Sequence, residues 1–174
     1  MSIVTKIKSD IIYFLDKSSR EFERYSWDLF LRPEVQKCSE INHHGFYSRL
    51  EHMILVGKLA VYIADRLGGD KRTCARAGIL HDVGQYGDGL KIEGKSRFDT
   101  SWAKKYAEKI GENQDVQNII LSHHPSYKWP KTREAYIIVL ADWFASVIEW
   151  SAIITGKFQD MVARFNANIH HNFS

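Results

Sequence analysis

The chain has 174 residues, 44% of them hydrophobic and 26% charged, which allows one domain with a sizeable core and is marginal for two. Its 24 Lys and Arg against 21 Asp and Glu leave a net charge of only +3 at pH 7. No basic cluster is dense enough to track a phosphate backbone, so tight binding driven by counterion release is excluded. Two cysteines, Cys38 and Cys74, stand without a CxxC motif, which excludes a disulfide framework or thiolate metal site and predicts reduced thiols in a cytoplasmic protein. The opening MSIVTKIKSDIIYFLDK mixes charges into its apolar residues and so is no signal peptide. No apolar run reaches membrane-spanning length, and no membrane partner is expected.

The long segments carry helical periodicity, and none alternates in the manner of a strand. Residues 3–15 and about 19–31 read as two amphipathic helices, and Pro33 opens a short third one. Residues 49–67 form a helix stopped by Gly68-Gly69, with Leu55, Val56, Leu59, Ile63 and Leu67 on one face. Asp70 caps the next helix, about 71–80, which ends in HDVG. The glycine-rich stretch 84–99 reads as a loop. Helices follow at about 100–110, at 112–122 before Pro125, at about 132–154 ending near Gly156, and at about 157–169. The expected fold is all-α, a single-domain helical bundle. Residues 1–32 supply N-terminal helices, 33–155 a metal-site core, and 156–174 a C-terminal helix and tail.

Six of the eight histidines fall in short clusters: His43-His44, His52 with His81, and His123-His124. His52 stands three residues before Leu55 and seven before Leu59, on the apolar face of its helix. His81 stands four after Ala77 and seven after Cys74; His123 closes the inward series Val116, Ile119, Ile120; Asp142 closes Ala135, Ile138, Val139. Taken singly, an inward His is a core histidine satisfied by a carbonyl and an inward Asp is a cap. Four such groups on four helices, with Asp82 beside one, would each cost roughly several kcal/mol in a core without a cation. Imidazole and carboxylate together suit Mn, Fe, Co, Ni or Zn, and Mg less well. The constellation predicts a divalent-metal site between the helices. His43-His44 either line its mouth or cap the following helix, and His170-His171 read as a solvated tail.

An ordered H…HD…D arrangement on helices is the signature of the HD-domain metal-dependent phosphohydrolases, and this chain resembles them at His52, His81-Asp82 and Asp142. HHGFYSRLEH, AGILHDVG, IEGKSRFD, LSHHPSYKWP and TREAYIIVLADW resemble the HD portion of bacterial 3′-to-5′ exoribonucleases, which join an OB-fold to an HD domain. LSHH and LADW also resemble CRISPR-associated HD nucleases. The resemblance implies that His52, His81, Asp82 and Asp142 hold a tightly bound first metal, and that His123 and His124 reach a second. There are three departures. No OB-fold fits in 174 residues, and Gln85 stands where such relatives carry Lys in HDxGK. Asp99 stands where they place a further ligand His; it is either a ligand to the second cation or the N-cap of the helix beginning near Thr100. Lys91, Lys95 and Arg97 either supply the missing positive charge or form a solvated loop face.

The expected activity is metal-dependent hydrolysis of a phosphoester in a nucleotide or short oligonucleotide. Asp82 would orient the nucleophile, His123 or His124 would protonate the leaving group, and Lys95 and Arg97 would clamp phosphate. Trp102, Tyr127 and Trp129 either stack a base or belong to the core. Two other readings compete: a di-iron oxygenase on the same scaffold, and a non-catalytic ligand-binding or regulatory module. Four intact ligand-type residues argue against the last.

Overall fold

Helix α3 is the element around which the others are arranged. A computed structural model describes residues 3–44, 47–84 and 100–172, with side chains over 17–43, 47–84 and 100–153. Helix α1 runs Ile3–Phe30, α2 Pro33–Gln36, and a 3-10 turn Lys37–Glu40 leads into β1 (Asn42–His44) and β2 (Tyr47–Ser48). Then come α3 (Arg49–Leu67), α4 (Lys71–Leu80), α5 (Ser101–Lys109), α6 (Gln114–Ser122) and α7 (Arg133–Asn172). Helix α3 packs on α1, α4 and α7, and α6 closes the bundle against α4 and α7.

The ends of α3 are set by local chemistry. The Ser48 hydroxyl accepts from the Glu51 amide while the Glu51 carboxylate accepts from the Ser48 amide, a reciprocal capping box. At the other end Gly68 adopts φ 69°, where a side chain would be strained. The cap starts the helix one turn before His52 and so fixes the direction in which that imidazole points. Asp70 caps α4 by accepting from the Arg72 amide at 2.9 Å, as expected.

Helices α3 and α4 touch backbone to backbone. A Cβ on Gly78 would lie 2.5 Å from the Cα of Gly57, and one on Gly57 would overlap the Phe22 ring. Glycine at 78 allows this approach of α4 to α3, and glycine at 57 makes room for Phe22 of α1; the contact draws the His52 end of α3 toward the His81 end of α4. Around the contact lies the apolar core, with Met53, Val56, Ala60, Ile79, Leu80, Ile119, Ile120 and Ile138 all buried. Arg76 closes the α1 side. Its guanidinium donates to Glu112, to Asp28 and to the Tyr25 carbonyl.

The all-α expectation holds, with three corrections of detail. The two expected N-terminal helices are one, because Asp16-Lys17-Ser18 contains neither glycine nor proline to stop it. The helices expected at 132–154 and 157–169 are likewise one, since an isolated glycine such as Gly156 weakens a helix by only about 1 kcal/mol. The pair β1–β2, antiparallel with a bulge between Asn42 and His44, is too short to show alternation in sequence. Contrary to the expectation for apolar runs, Arg133–Ile153 of α7 has the length and hydropathy of a membrane span. Its inner side carries Asp142 and the fully buried Glu149, which explains why charge-free run length missed it. The expected loop at 84–99 lies outside the described residues except for Gly84, at φ 74°.

Candidate metal centre

Four segments converge on one buried volume. His52 comes from the first turns of α3, His81 and His123 are the residues that end α4 and α6, Asp82 follows His81, and Asp142 projects from α7. His52, His81, Asp82 and His123 are buried, and Asp142 is partly buried. Their ligand atoms form overlapping sets, each within 4.8 Å: His52, His81 and Asp142; His81, Asp82 and His123; His123, His124 and Asp142; His43, His52 and Asp82. The sets share members, so they surround a common centre rather than four separate ones.

Each buried imidazole is oriented through its Nδ1. His81 Nδ1–H donates to the Gly78 carbonyl at 2.7 Å, and His123 Nδ1–H to the Ile120 carbonyl at 2.7 Å. His52 Nδ1–H donates to the buried Glu149 carboxylate at 2.9 Å. A carbonyl can only accept, so in His81 and His123 the lone pair is left on Nε2, the arrangement in which imidazole binds a metal. Those two Nε2 atoms and Asp82 Oδ1 are buried without any hydrogen-bond partner. His123 Nε2 faces Asp82 Oδ1 at 3.5 Å, and His81 Nε2 faces Asp82 Oδ2 at 4.0 Å. Three acceptors directed at one another in a dry interior are unfavourable by themselves and are relieved by a cation between them. The donor set fits a divalent metal.

The electrostatics of the metal-free protein point the same way. Burial disfavours charge on His52, but hydrogen bonds to Asp142 (3.1 Å) and Glu149 outweigh it and push its pKa up to about 9. Burial, aided by the neighbouring His123 and His52, pushes His81 down to about 4 and keeps it neutral at pH 7. Burial opposes ionisation of Asp82, yet His81, His123 and Arg49 hold its carboxyl well below the usual range. Asp142 is likewise lowered to about 2, burial being outweighed by the histidines around it. His123 is raised, because its contacts with Asp82 exceed the effect of burial. The ionised carboxylates and the neutral His81 are in the protonation states that a cation requires, and His52 must lose a proton to join them.

His52, His81, Asp82, His123, His124 and Asp142 are therefore brought together, as the spacing predicts. Lys95, Arg97 and Asp99, with Lys91 and Gln85, lie outside the described residues. Thr100 stands just before α5 but makes no side-chain cap to it; its hydroxyl donates to the Leu121 carbonyl instead. Trp102, Tyr127 and Trp129 are exposed rather than core. Three participants were not assigned from sequence. Glu149 sits seven residues after Asp142, on the same face of α7, a spacing that could have found it. Arg49 is buried three residues before His52, with Nη1 3.5 Å from Asp82 Oδ2. His43, expected at most to line the mouth, has its ring 4.1 Å from that of His52. The side chain of His44 lies outside the described ones.

Imidazoles and carboxylates converging from several helices define a helical metal-binding domain. The chain belongs to the HD domain family, whose model matches residues 49–146. It is 31% identical over 140 residues to Ribonuclease Y of Thermotoga maritima, covering 79% of this chain and 27% of that protein. It is 34% identical over 115 residues to Ribonuclease Y of Pseudothermotoga lettingae, covering 64% and 22%. With Ribonuclease Y of Fusobacterium nucleatum it shares 31% over 118 residues, again 64% and 22%. The chain thus spans about a quarter of the length of these relatives. No solved structure matches.

Proposed function

We propose that this chain is a metal-dependent phosphohydrolase acting on a phosphoester of a nucleotide or short single-stranded oligonucleotide. The observation that carries the reading is the convergence of His81 Nε2, His123 Nε2 and Asp82 Oδ1, buried and without hydrogen-bond partners. The name of the relatives, Ribonuclease Y, supports a phosphodiester of nucleic acid as the substrate class.

A divalent cation, when bound, supplies Lewis-acid activation of water and of a phosphoryl oxygen. His52, His81, Asp82 and Asp142 would hold the first, and His123 with His124 would reach a second. The chain's own residues do the rest. Glu149 and the Gly78 and Ile120 carbonyls keep the three imidazoles turned inward. His81, His123 and Arg49 together keep Asp82 ionised. His123, with both ring nitrogens committed inside, is badly placed to give a proton to a leaving group. His124 is half-buried beside it, ring centroids 4.2 Å apart, and takes that role in our reading. Beside Val83 and Gly84, directly after Asp82, opens a cavity of about 350 Å³ lined by Trp102 and Tyr106, by Lys37, Lys105 and Lys109, and by one carboxylate, Glu34. Aromatic rings and ammonium groups in one lining suit a base and its phosphate. Lys95 and Arg97 remain the proposed phosphate clamps.

The test is turnover of bis-p-nitrophenyl phosphate, p-nitrophenyl phosphate and a fluorescent RNA oligonucleotide with Mn, Ni, Co, Fe, Zn or Mg. Hydrolysis by the parent, lost in His81→Ala and Asp82→Asn together with bound metal, is the expected result. A His81→Ala protein that turns over at the parent rate would remove the assignment.

A further inference from the structure

Helix α7 turns its site-bearing side inward and leaves an ordered apolar seam on the other. Tyr136, Leu140, Trp143, Val147 and Trp150 are between 42% and 60% exposed. Their spacing of four, three, four and three residues is the 3.5-residue repeat of helices that pack along a shared seam. Between Glu134 and Lys157 the only acidic or basic residues are Asp142 and Glu149, and both point to the opposite side, into the metal centre. The seam is also held in shape: the Trp129 indole N–H donates to the Tyr136 hydroxyl at 3.1 Å.

We infer that this seam is the interface of a two-fold dimer in which α7 packs antiparallel against α7 of a second copy, centred on Trp143. The order of side-chain classes supports the choice of partner. Aromatic, aliphatic, aromatic, aliphatic, aromatic reads the same in both directions. An antiparallel copy therefore sets Tyr136 against Trp150 and brings Leu140 within one residue of register with Val147, apolar side chain against apolar side chain. A parallel copy would stack the basic approach to the helix, Lys128, Lys131 and Arg133, against itself. With Phe144 and Ile148 beside the seam, the half-exposed side chains present roughly 600–700 Å² of apolar surface, taking 150–250 Å² for a whole aromatic. That exceeds the few hundred Å² usual on a monomer and approaches the roughly 800 Å² that each partner buries in a stable complex. A membrane surface is the poorer occupant, because the basic residues stand only at the ends, at Lys128, Lys131, Arg133 and Lys157, and none lies along the seam from Tyr136 to Trp150 to meet lipid headgroups.

The experiment is sedimentation equilibrium on the metal-loaded chain and on two double variants. The parent is expected to be a reversible dimer at micromolar concentration. Leu140→Lys with Val147→Lys sets ammonium against ammonium across the axis and weakens the dimer by about 100-fold or more. Leu140→Lys with Val147→Glu sets each Lys against a Glu of the other copy and keeps the dimer within about tenfold of the parent. A parent that is monomeric to about 100 µM overturns the inference, whether or not it sediments with phosphatidylglycerol vesicles. So do two double variants that behave alike. If circular dichroism shows either double variant unfolded, Trp143→Ala decides: loss of about 30-fold in dimer affinity supports the interface, and an unchanged constant refutes it.

Discussion

Replacing Gly78 by Ala tests the contact that sets the spacing of the two histidine-bearing helices. On propensity alone, Ala in a helix interior is favoured over Gly by about 1 kcal/mol. Here, however, the new methyl would sit 2.5 Å from the Cα and 2.9 Å from the N of Gly57. Relaxed contact between carbon atoms needs about 3.5–4.0 Å, so α3 and α4 must part by roughly 1 Å. Gly57 is backbone at that point and has no side chain to turn aside. Overpacking of this kind costs about 1–3 kcal/mol, which offsets the propensity gain and leaves a net loss of up to about 2 kcal/mol. The consequence for the site is larger. The His52 and His81 rings, now 5.4 Å apart between centroids, separate with the helices, and the Gly78 carbonyl that orients His81 moves with them. Metal sites tolerate only about 0.2 Å in ligand position, so Mn affinity should fall by roughly 10–100-fold. Urea denaturation of the metal-free protein and calorimetric titration with Mn measure the two effects separately. If Gly78→Ala raises the urea midpoint and binds Mn like the parent, the close approach of α3 and α4 is wrong.

Glu149→Gln removes the charge that His52 Nδ1–H donates to while preserving shape, and should weaken metal binding by about 10–100-fold without unfolding the protein; parent-like affinity would show that Glu149 is only a core contact. In the metal-free protein His52 is raised to about 9, above an unfolded value of about 6.5, so its stabilisation is complete below pH 6.5 and disappears as pH climbs through 9. From this residue alone that is about 3 kcal/mol, visible as a falling Tm between pH 6.5 and 9 that flattens in Glu149→Gln; a level Tm in the parent would contradict it. Arg76→Ala leaves the buried Glu112 carboxylate without its guanidinium and should destabilise the fold by about 3–5 kcal/mol in chemical denaturation. A loss under about 1 kcal/mol would mean that Glu112 finds water instead.

The helical class and the convergence of the ligand-type side chains were legible in the chain itself because both rest on local periodicity. His52, Asp142 and His123 each sit at the end of an i, i+3, i+4, i+7 apolar series, and a side chain in that position must face the core whatever the core contains. The pair His81-Asp82 stood out because charge at the end of an apolar helix is expensive unless something binds it. Helix ends were less legible. Asp16-Lys17-Ser18 and Gly156 lower helix propensity without breaking a helix, and continuity there is decided over the whole segment rather than at one residue. The roles of Arg49 and His43 lay beyond sequence, since neither carries a periodic signal that ties it to Asp82 or His52; the bulged turn β1–β2 and the capped start of α3 bring them there.

By itself the sequence turned His52, His81, His123 and Asp142 inward and gave the chemistry they offer, since handedness and helical repeat are properties of the chain; on α3 the face was misjudged at Leu67, which is exposed, the core being Met53, Val56 and Ala60. Only the tertiary structure decided that they meet at one centre. That depends on the distance between helices, which Gly78 sets by letting α4 touch α3 at Gly57. It also decided that the outer seam of α7 stays half-exposed, because a helix that gives one face to the core must present the other to something else.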